Sequence, residues 1–158
     1  MISILKRFRC WVLVQLTHNV ALPFLRLIRR PNKFPYTIQQ LKLFPVGTLG
    51  YELFRFLHQR DLDILPHYTR HDLKHIVLNY DTTEEGEACL QCFMLGNGRV
   101  SFPVLATVIY SMLTMPEYWK SMKTAFYKGK QAIPIHNWKW NAILHENTDA
   151  LRMKIFQP

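Results

Sequence analysis

The chain has 158 residues, of which 49% are hydrophobic and 20% are charged, and its formal net charge is +9. A chain of this size can bury roughly two-thirds of its unfolded surface in one core, so a single compact domain is expected. Three cysteines, Cys10, Cys89 and Cys92, are too few and odd in number for a secreted disulfide framework, which indicates a reducing compartment.

The positive charge is concentrated near the amino terminus. Before Glu52, the first acidic residue, stand Lys6, Arg7, Arg9, Arg26, Arg29, Arg30, Lys33 and Lys42. The first of these cations alternate with bulky apolar residues such as Phe8 and Trp11, a pattern that favours an anionic lipid surface over nucleic acid. We therefore expect a membrane partner and no nucleic acid. A solvated basic helix packed on the domain, or a mitochondrial transit peptide, are the alternatives.

Two apolar stretches were considered as membrane spans, and neither is predicted to be one. Residues 10–25 contain several polar side chains, and residues 100–116 are short and include prolines, whereas a span needs about 20 apolar residues. A signal peptide is not expected either, because no small-x-small cleavage site follows residues 11–16.

Helical periodicity dominates the sequence and predicts an all-α fold, namely a single compact helical domain with a basic amphipathic N-terminal helix. We divide the chain into a basic amphipathic N-terminal arm, residues 1–34, and a helical metal-binding domain, residues 35–158. The first helix is predicted from Ile4 to Val20, with Pro23 ending or kinking it.

The following helices are predicted from their apolar stripes and end signals. The stretch after Asp81 is typical of a helix start, in which the Thr82 hydroxyl caps backbone N–H groups and Glu85 reaches back to it. The predicted helices run from after Gly47 to Gln59, from Pro66 to Leu78, from Thr83 to Leu95, from Val104 to Leu113, from Tyr118 to Lys128 with Gly129 breaking it, from Trp138 to Leu144 and from Thr148 to Ile155.

The residues that could carry chemistry lie on the two helices predicted from Pro66 to Leu78 and from Thr83 to Leu95. His71 and His75 stand four residues apart, which places both imidazoles on one helical face, and Asp72 borders that face. Glu87 begins the next helix, so an antiparallel hairpin would bring its carboxylate close. Gly86 has no side chain and would allow the two helices to approach closely.

Two imidazoles and two carboxylates suit a divalent metal, with zinc first and iron, manganese or magnesium as alternatives. Zinc held tetrahedrally by His71, Asp72, His75 and Glu87 would form a closed structural site, and catalysis needs an open position. Either the metal has more than four ligands, or Asp72 is not a ligand and instead orients a histidine or handles a proton. The competing interpretation is a pair of ordinary histidines beside a first-turn acid.

The pattern His71-Asp72-x-x-His75, followed by eleven residues and Glu87, resembles the signature of the coenzyme Q biosynthesis protein 4 family. Three further blocks agree in order, and the similarity spans about residues 35–156. They are Pro45-x-Gly47-Thr48-Leu49-Gly50, then Gly86-Glu87 with Cys89-Leu90-Gln91-x-Phe93, and finally Ala125-x-x-x-Gly129 with Leu151-Arg152. The chain departs from the family pattern at Asn79, where glycine is common, and at residues 94–96.

This resemblance implies an all-α metal-binding protein of ubiquinone synthesis. It implies His71, Asp72, His75 and Glu87 as metal ligands, a prenylated 4-hydroxybenzoate-type substrate that loses its C1 carboxylate with or without oxidation, and partners among other quinone-biosynthesis proteins. The expected location is peripheral, on the cytoplasmic side of a bacterial inner membrane or, in a eukaryote, on the matrix side of the mitochondrial inner membrane.

The hypothesis that follows is a metal-dependent lyase in which the metal polarises the phenolic or carboxylate oxygen on the ring and Asp72 donates a proton to C1. Apolar helices such as Val104–Leu113 would enclose the isoprenoid tail. Two alternatives differ in class. One is a non-catalytic prenyl-lipid-binding scaffold, and the other is a metal-dependent phosphohydrolase, which would need additional ligands such as His58 and Asp149.

Overall fold

The computed structural model describes residues 34–65 and 68–157, and in these ranges the chain forms helices and no strand. The predicted all-α fold is therefore confirmed. The predicted arm and its helix from Ile4 to Val20 lie outside the described residues, apart from Phe34, so they stay predictions, as does the division of the chain at residue 34.

The helices of the described part follow one another through short connections. They are α1 (Ile38–Lys42), α2 (Leu49–His58), α3 (Thr69–Leu78), α4 (Glu84–Gly96), α5 (Phe102–Thr114), α6 (Trp119–Gln131) and α7 (Thr148–Phe156), with single 3₁₀ turns at Pro116–Tyr118 and Trp140–Ala142. Among these described helices, none is long and apolar enough to cross a membrane.

Most predicted helices are present with similar limits, and three features of the structure differ from the predictions. The short helix α1 was not predicted, although Thr37 and Gln40 form a reciprocal capping box at its start. The predicted helix from Trp138 to Leu144 is wrong, because only a 3₁₀ turn forms there. The predicted break at Gly129 is also wrong, since α6 continues through it to Gln131.

Gly129 serves the packing of α6 against α4 instead. A Cβ on Gly129 would collide with the carbonyl oxygen of Phe93 on α4, and a Cβ on Gly96 would collide with the carbonyl oxygen of Phe126 on α6. Each glycine thus lies against the backbone of the other helix. This close approach holds α4, the helix that carries Glu87, firmly in the core.

Asn97 secures the same crossing after α4 ends. Its buried Nδ2, which carries two hydrogens, lies within hydrogen-bonding distance of the carbonyl oxygens of Gly129, Ala132 and Ile133, at 3.1, 3.3 and 2.9 Å, and its Oδ1 accepts from the Ile135 N–H at 2.9 Å. Because buried backbone groups need partners, this one side chain stabilises the segment that follows α6. The sequence had suggested only a helix end here.

The start of α2 is held by the segment before α7. Thr48 caps α2 by accepting from the Tyr51 N–H, and the N–H groups of Leu49 and Gly50 donate to the carbonyl oxygens of Glu146 and Leu144. Gly47 has φ of +85°, a conformation that favours glycine. These contacts place Leu49, Leu53 and Leu57 in the core beside α3.

We predict that Gly129→Ala lowers the free energy of unfolding by about 2–4 kcal/mol, because the added methyl must push α4 and α6 apart. Intrinsic helix propensity alone would predict a gain of about 1 kcal/mol from the same change. Urea unfolding measures the difference, with Lys130→Ala on the exposed side of α6 as the matched control. A stabilised Gly129→Ala protein would contradict the close crossing.

Candidate metal centre

The candidate site lies on the hairpin formed by α3 and α4. Leu73, Ile76 and Val77 anchor α3 in the core, and the helix ends at Asn79, whose φ of 55° is left-handed. Asparagine tolerates this conformation better than most residues other than glycine. The chain then turns back into α4 within four residues.

The start of α4 differs in detail from the prediction. Thr83, and not Thr82, is the N-cap, and its hydroxyl accepts from the Gly86 N–H at 3.1 Å. Gly86 does allow a close approach, but to Asp81 of the connecting turn and not to α3, because a Cβ there would collide with the Asp81 backbone and side chain. This tight turn determines the position of Glu87 relative to α3.

The hairpin brings His71, His75 and Glu87 together, and we call these three residues the triad. One potential ligand atom from each lies within 4.8 Å of the other two. The Nε2 of His75 lies 3.0 Å from Oε1 of Glu87, and the Nε2 of His71 lies 3.3 Å from Oε2. Two imidazole nitrogens and one carboxylate at this spacing form a possible divalent-metal site.

The orientation of His75 suits such a site. Its Nδ1 lies 3.0 Å from the carbonyl oxygen of Tyr80, which can only accept, so Nδ1 carries the proton. In the neutral ring the lone pair is then on Nε2, which faces Glu87. A histidine fixed in this way by a backbone carbonyl is the usual arrangement for metal ligands.

The triad is buried on one side and open on the other. The His75 side chain is only 1% exposed, whereas that of Glu87 is 37% exposed. His71 lies on the open side and its Nε2 is 3.3 Å from Nε2 of Gln91, one turn after Glu87 on α4. A cation bound here would keep room for a ligand from solution, as catalytic sites do.

Asp72 lies beside the triad but is not one of the three residues whose ligand atoms converge. Its carboxylate is partly buried, and it interacts electrostatically with His71, His75, Glu87 and Arg60. Burial raises the pKa of Asp72 above its ordinary value, against the opposing effect of the imidazoles. Its roles as a metal ligand and as a proton donor both stay predictions.

Residues that the sequence analysis missed also shape the site. The ring of Phe56 on α2 stacks on His75 with centroids 6.2 Å apart, and the Arg60 guanidinium lies 4.0 Å from the centroid of Phe56. Gln91 was detectable in principle, because it follows Glu87 by one helical turn. Phe56 and Arg60 were not, since their contact with the hairpin depends on how α2 packs against α3.

The C-terminal helix α7 supports the hairpin from behind. Arg152 donates from Nη2 to the carbonyl oxygen of Ile76 at 2.8 Å, and from Nη1 to Asp149 at 2.7 Å. The bond to Ile76 satisfies a carbonyl in the last turn of α3 and is charge-assisted.

Cys89 and Cys92 on α4 are buried free thiols, which indicates that they pack in the core.

The acid–base properties of the triad follow from these contacts. Burial alone would raise the pKa of Glu87, but the hydrogen bonds from His71 and His75 outweigh it and lower the pKa to about 2. Burial alone would lower the pKa of His75, but the hydrogen bond to Glu87 and the charge of that carboxylate raise it. Without metal, this pairing therefore favours the protonated form of His75 and the ionised form of Glu87.

We predict that metal-free protein loses stability on both sides of mildly acidic pH. Because the pKa of Glu87 falls from 4.5 to about 2 on folding, its contribution is present above 4.5 and is lost as the pH falls below it. The pKa of His75 rises from 6.5, so its contribution is present below 6.5 and is lost at higher pH. Solvent screening limits the effect to about 1–2 kcal/mol.

Urea unfolding of chelator-treated protein across this pH range measures the effect, and Glu87→Gln should flatten both limbs. The exposed Glu146→Gln variant is the control and should keep the wild-type profile. Identical profiles for wild type and Glu87→Gln would show that the carboxylate does not hold the imidazoles in solution.

Two comparisons with known proteins found similarity to this chain. The family model for Coenzyme Q (ubiquinone) biosynthesis protein Coq4 matches residues 64–156, which include the whole triad. A crystal structure from Nostoc punctiforme, of a protein with the provisional name ubiquinone biosynthesis protein, is similar with a TM-score of 0.59. It is 22% identical, with 77% of this chain and 68% of that chain covered. The search of curated proteins gave no match.

The structural likeness supports the fold alone, because the identity is low, whereas the family model carries the assignment. Its match covers more than half of the 158 residues and contains α3 to α7 in full. The chain belongs to the Coq4 family of ubiquinone biosynthesis proteins.

Proposed function

We propose that this protein is a metal-dependent lyase that removes the C1 carboxylate from a prenylated 4-hydroxybenzoate-type precursor of ubiquinone, at a membrane surface. The observation that carries the proposal is the convergence of His71, His75 and Glu87 on one partly open point. Membership of a ubiquinone-biosynthesis family supports the substrate class.

The residues present fit a divalent cation. His71, His75 and Glu87 would hold it, with zinc as the first choice and iron, manganese or magnesium as alternatives. When bound, the cation supplies a Lewis acid that draws charge from a phenolic or carboxylate oxygen of the ring. The open side formed by Glu87 and His71 is where such an oxygen would approach.

The chain's own groups must position the ring and deliver a proton. As the bond between C1 and the carboxylate breaks, carbon dioxide leaves and the bonding electron pair stays on C1. We assign the proton that C1 then takes up to Asp72, because its carboxyl group lies beside the triad without belonging to it. The overall change replaces a carboxylate by hydrogen and needs no oxidant. An oxidative variant would instead leave a hydroxyl on C1 and would need an external two-electron oxidant together with a source of the oxygen atom.

The two other candidate functions find less support. Of the ligands that a phosphohydrolase would add, His58 stacks on Phe54 and Asp149 pairs with Arg152, and neither belongs to the triad. A non-catalytic scaffold would need a metal only to stabilise the hairpin, yet core packing already fixes both helices and Arg152 also bonds to α3. We expect other quinone-biosynthesis proteins as partners in either case.

We predict that His75→Ala abolishes stoichiometric metal binding and reduces carbon dioxide release at least about a hundredfold, since one of three ligands is lost. Elemental analysis and release of labelled carbon dioxide from a carboxyl-labelled prenylated substrate are the measurements. His58→Ala removes an exposed imidazole from α2 and is the matched control. Unchanged metal content and turnover in His75→Ala would defeat the proposal. Metal-free protein that still restores quinone synthesis in cells would favour the scaffold.

Asp72→Asn separates the two predicted roles of Asp72. If the residue donates the proton, the variant should keep its metal and lose about a hundredfold or more in turnover, because the amide cannot supply an acidic proton. Loss of metal would identify Asp72 as a ligand. Full metal content with normal turnover would contradict both roles. Mass spectrometry of the product distinguishes hydrogen from hydroxyl at C1.

A further inference from the structure

Helix α5 exposes an unusual surface. The stretch from Val100 to Pro116 contains no charged residue, and several of its large apolar side chains are exposed, with Leu113 at 78%. We call this exposed set the α5 face, and it consists of Phe102, Leu105, Ile109, Met112 and Leu113. Spacings of three, four, three and one residues put these side chains along one side of the helix.

The polarity of α5 is inverted relative to a helix on a water-exposed surface. Ser111 is only 1% exposed, and Thr107 and Thr114 are partly buried, whereas the exposed positions are apolar. Thr114 satisfies its hydroxyl by donating to the Tyr110 carbonyl at 2.8 Å. A surface helix normally turns its polar side chains outward and its apolar side chains inward. The α5 face is therefore adapted to surroundings other than water.

We propose that the α5 face inserts into the interfacial layer of an anionic lipid bilayer and is the surface by which this protein docks on the membrane. This inference rests on the membrane location in the proposed function and assigns it to particular residues. With 13 residues, α5 is about 20 Å long, too short to cross a hydrocarbon core of about 30 Å, so it would lie in the plane of the membrane.

An aromatic residue against the end of α5, and two exposed lysines that follow it closely in the chain, support a lipid occupant. Lys120 and Lys123 are exposed on α6 just after the 3₁₀ turn that follows α5. Half-exposed Trp119 donates from its indole Nε1 to the Met112 carbonyl at 2.8 Å, which fixes its ring against the end of α5. Tryptophan and lysine beside an apolar surface are typical of the boundary between acyl chains and headgroups. Anionic headgroups complement the lysines.

The packing of α5 gives this surface a functional consequence. The buried side of α5 packs on α4, the helix that carries Glu87. Docking through the α5 face would thus place the helix of the metal site directly above the membrane surface. A substrate with an isoprenoid tail resides in the bilayer, so its ring would have a short path to the triad. The tail would then remain in lipid and would not need an enclosed protein pocket.

A polarity-sensitive fluorophore tests the depth of insertion in the full chain. It is attached through Ile109→Cys in a Cys10→Ser background, with vesicles of equal parts phosphatidylcholine and phosphatidylglycerol. We expect a blue shift and at least about a twofold rise in emission as the label leaves water. The control label is attached through Met153→Cys on α7, because Met153 is 60% exposed and Ile109 is 57% exposed. The control label should stay unchanged.

A second measurement uses charge insertion. Ile109→Glu combined with Leu113→Glu should weaken vesicle binding about tenfold or more, whereas Met153→Glu should not. Thermal unfolding of both variants checks that they are folded. Vesicle binding without a change at position 109 would overturn the proposal and assign docking to another surface. A dimer that the two glutamates dissociate, with no vesicle binding, would make the α5 face an interface between copies. Both measurements report vesicle binding alone. A failure of this proposal can therefore be distinguished from a failure of the proposed function, which is tested by metal content and turnover.

Discussion

The bridge that Glu87 forms between two imidazoles is the interaction around which the hairpin is organised. Its carboxylate contacts His75 at 3.0 Å and His71 at 3.3 Å, so one side chain on α4 fixes two on α3. A carboxylate next to buried His75 would be unfavourable without this pairing. The same contacts make the three groups good ligands, because the imidazole nitrogens and the carboxylate oxygens already lie close together. The metal-free protein thus already holds these groups in position for a cation.

The sequence predicted this hairpin well because its signals are local. Residues four apart share a helical face, and a threonine before two glutamates begins a helix, whatever surrounds them. Whether Asp72 is a ligand is harder to predict, since a residue one position after His71 is rotated by about 100° from it around the helix axis. Its ligand atoms are absent from the converging group. The resemblance to a family had assigned four ligands, whereas the geometry brings three of them together.

Gly129 illustrates the limit of local signals. A glycine in a polar helix is equally consistent with a break and with a close helix crossing, and only the position of Phe93 on α4 decides between them. The contacts of Phe56 and Arg60 were hidden for the same reason. They belong to α2, and their distance from the hairpin depends on core packing by Leu53 and Leu57. Tertiary contacts of this kind have no periodicity that a single sequence can reveal.

The apolar run from Val100 to Pro116 shows how composition and location must be combined. Its composition suggested a helix that encloses a lipid tail, but Phe102, Ile109 and Leu113 are exposed and Ser111 is buried. When a helix turns its polar groups toward the protein and its apolar groups outward, contact between that apolar area and water is unfavourable. A lipid bilayer would remove that cost. Under the proposed function, membrane docking and delivery of a prenylated ring would both follow from one helix packed on α4.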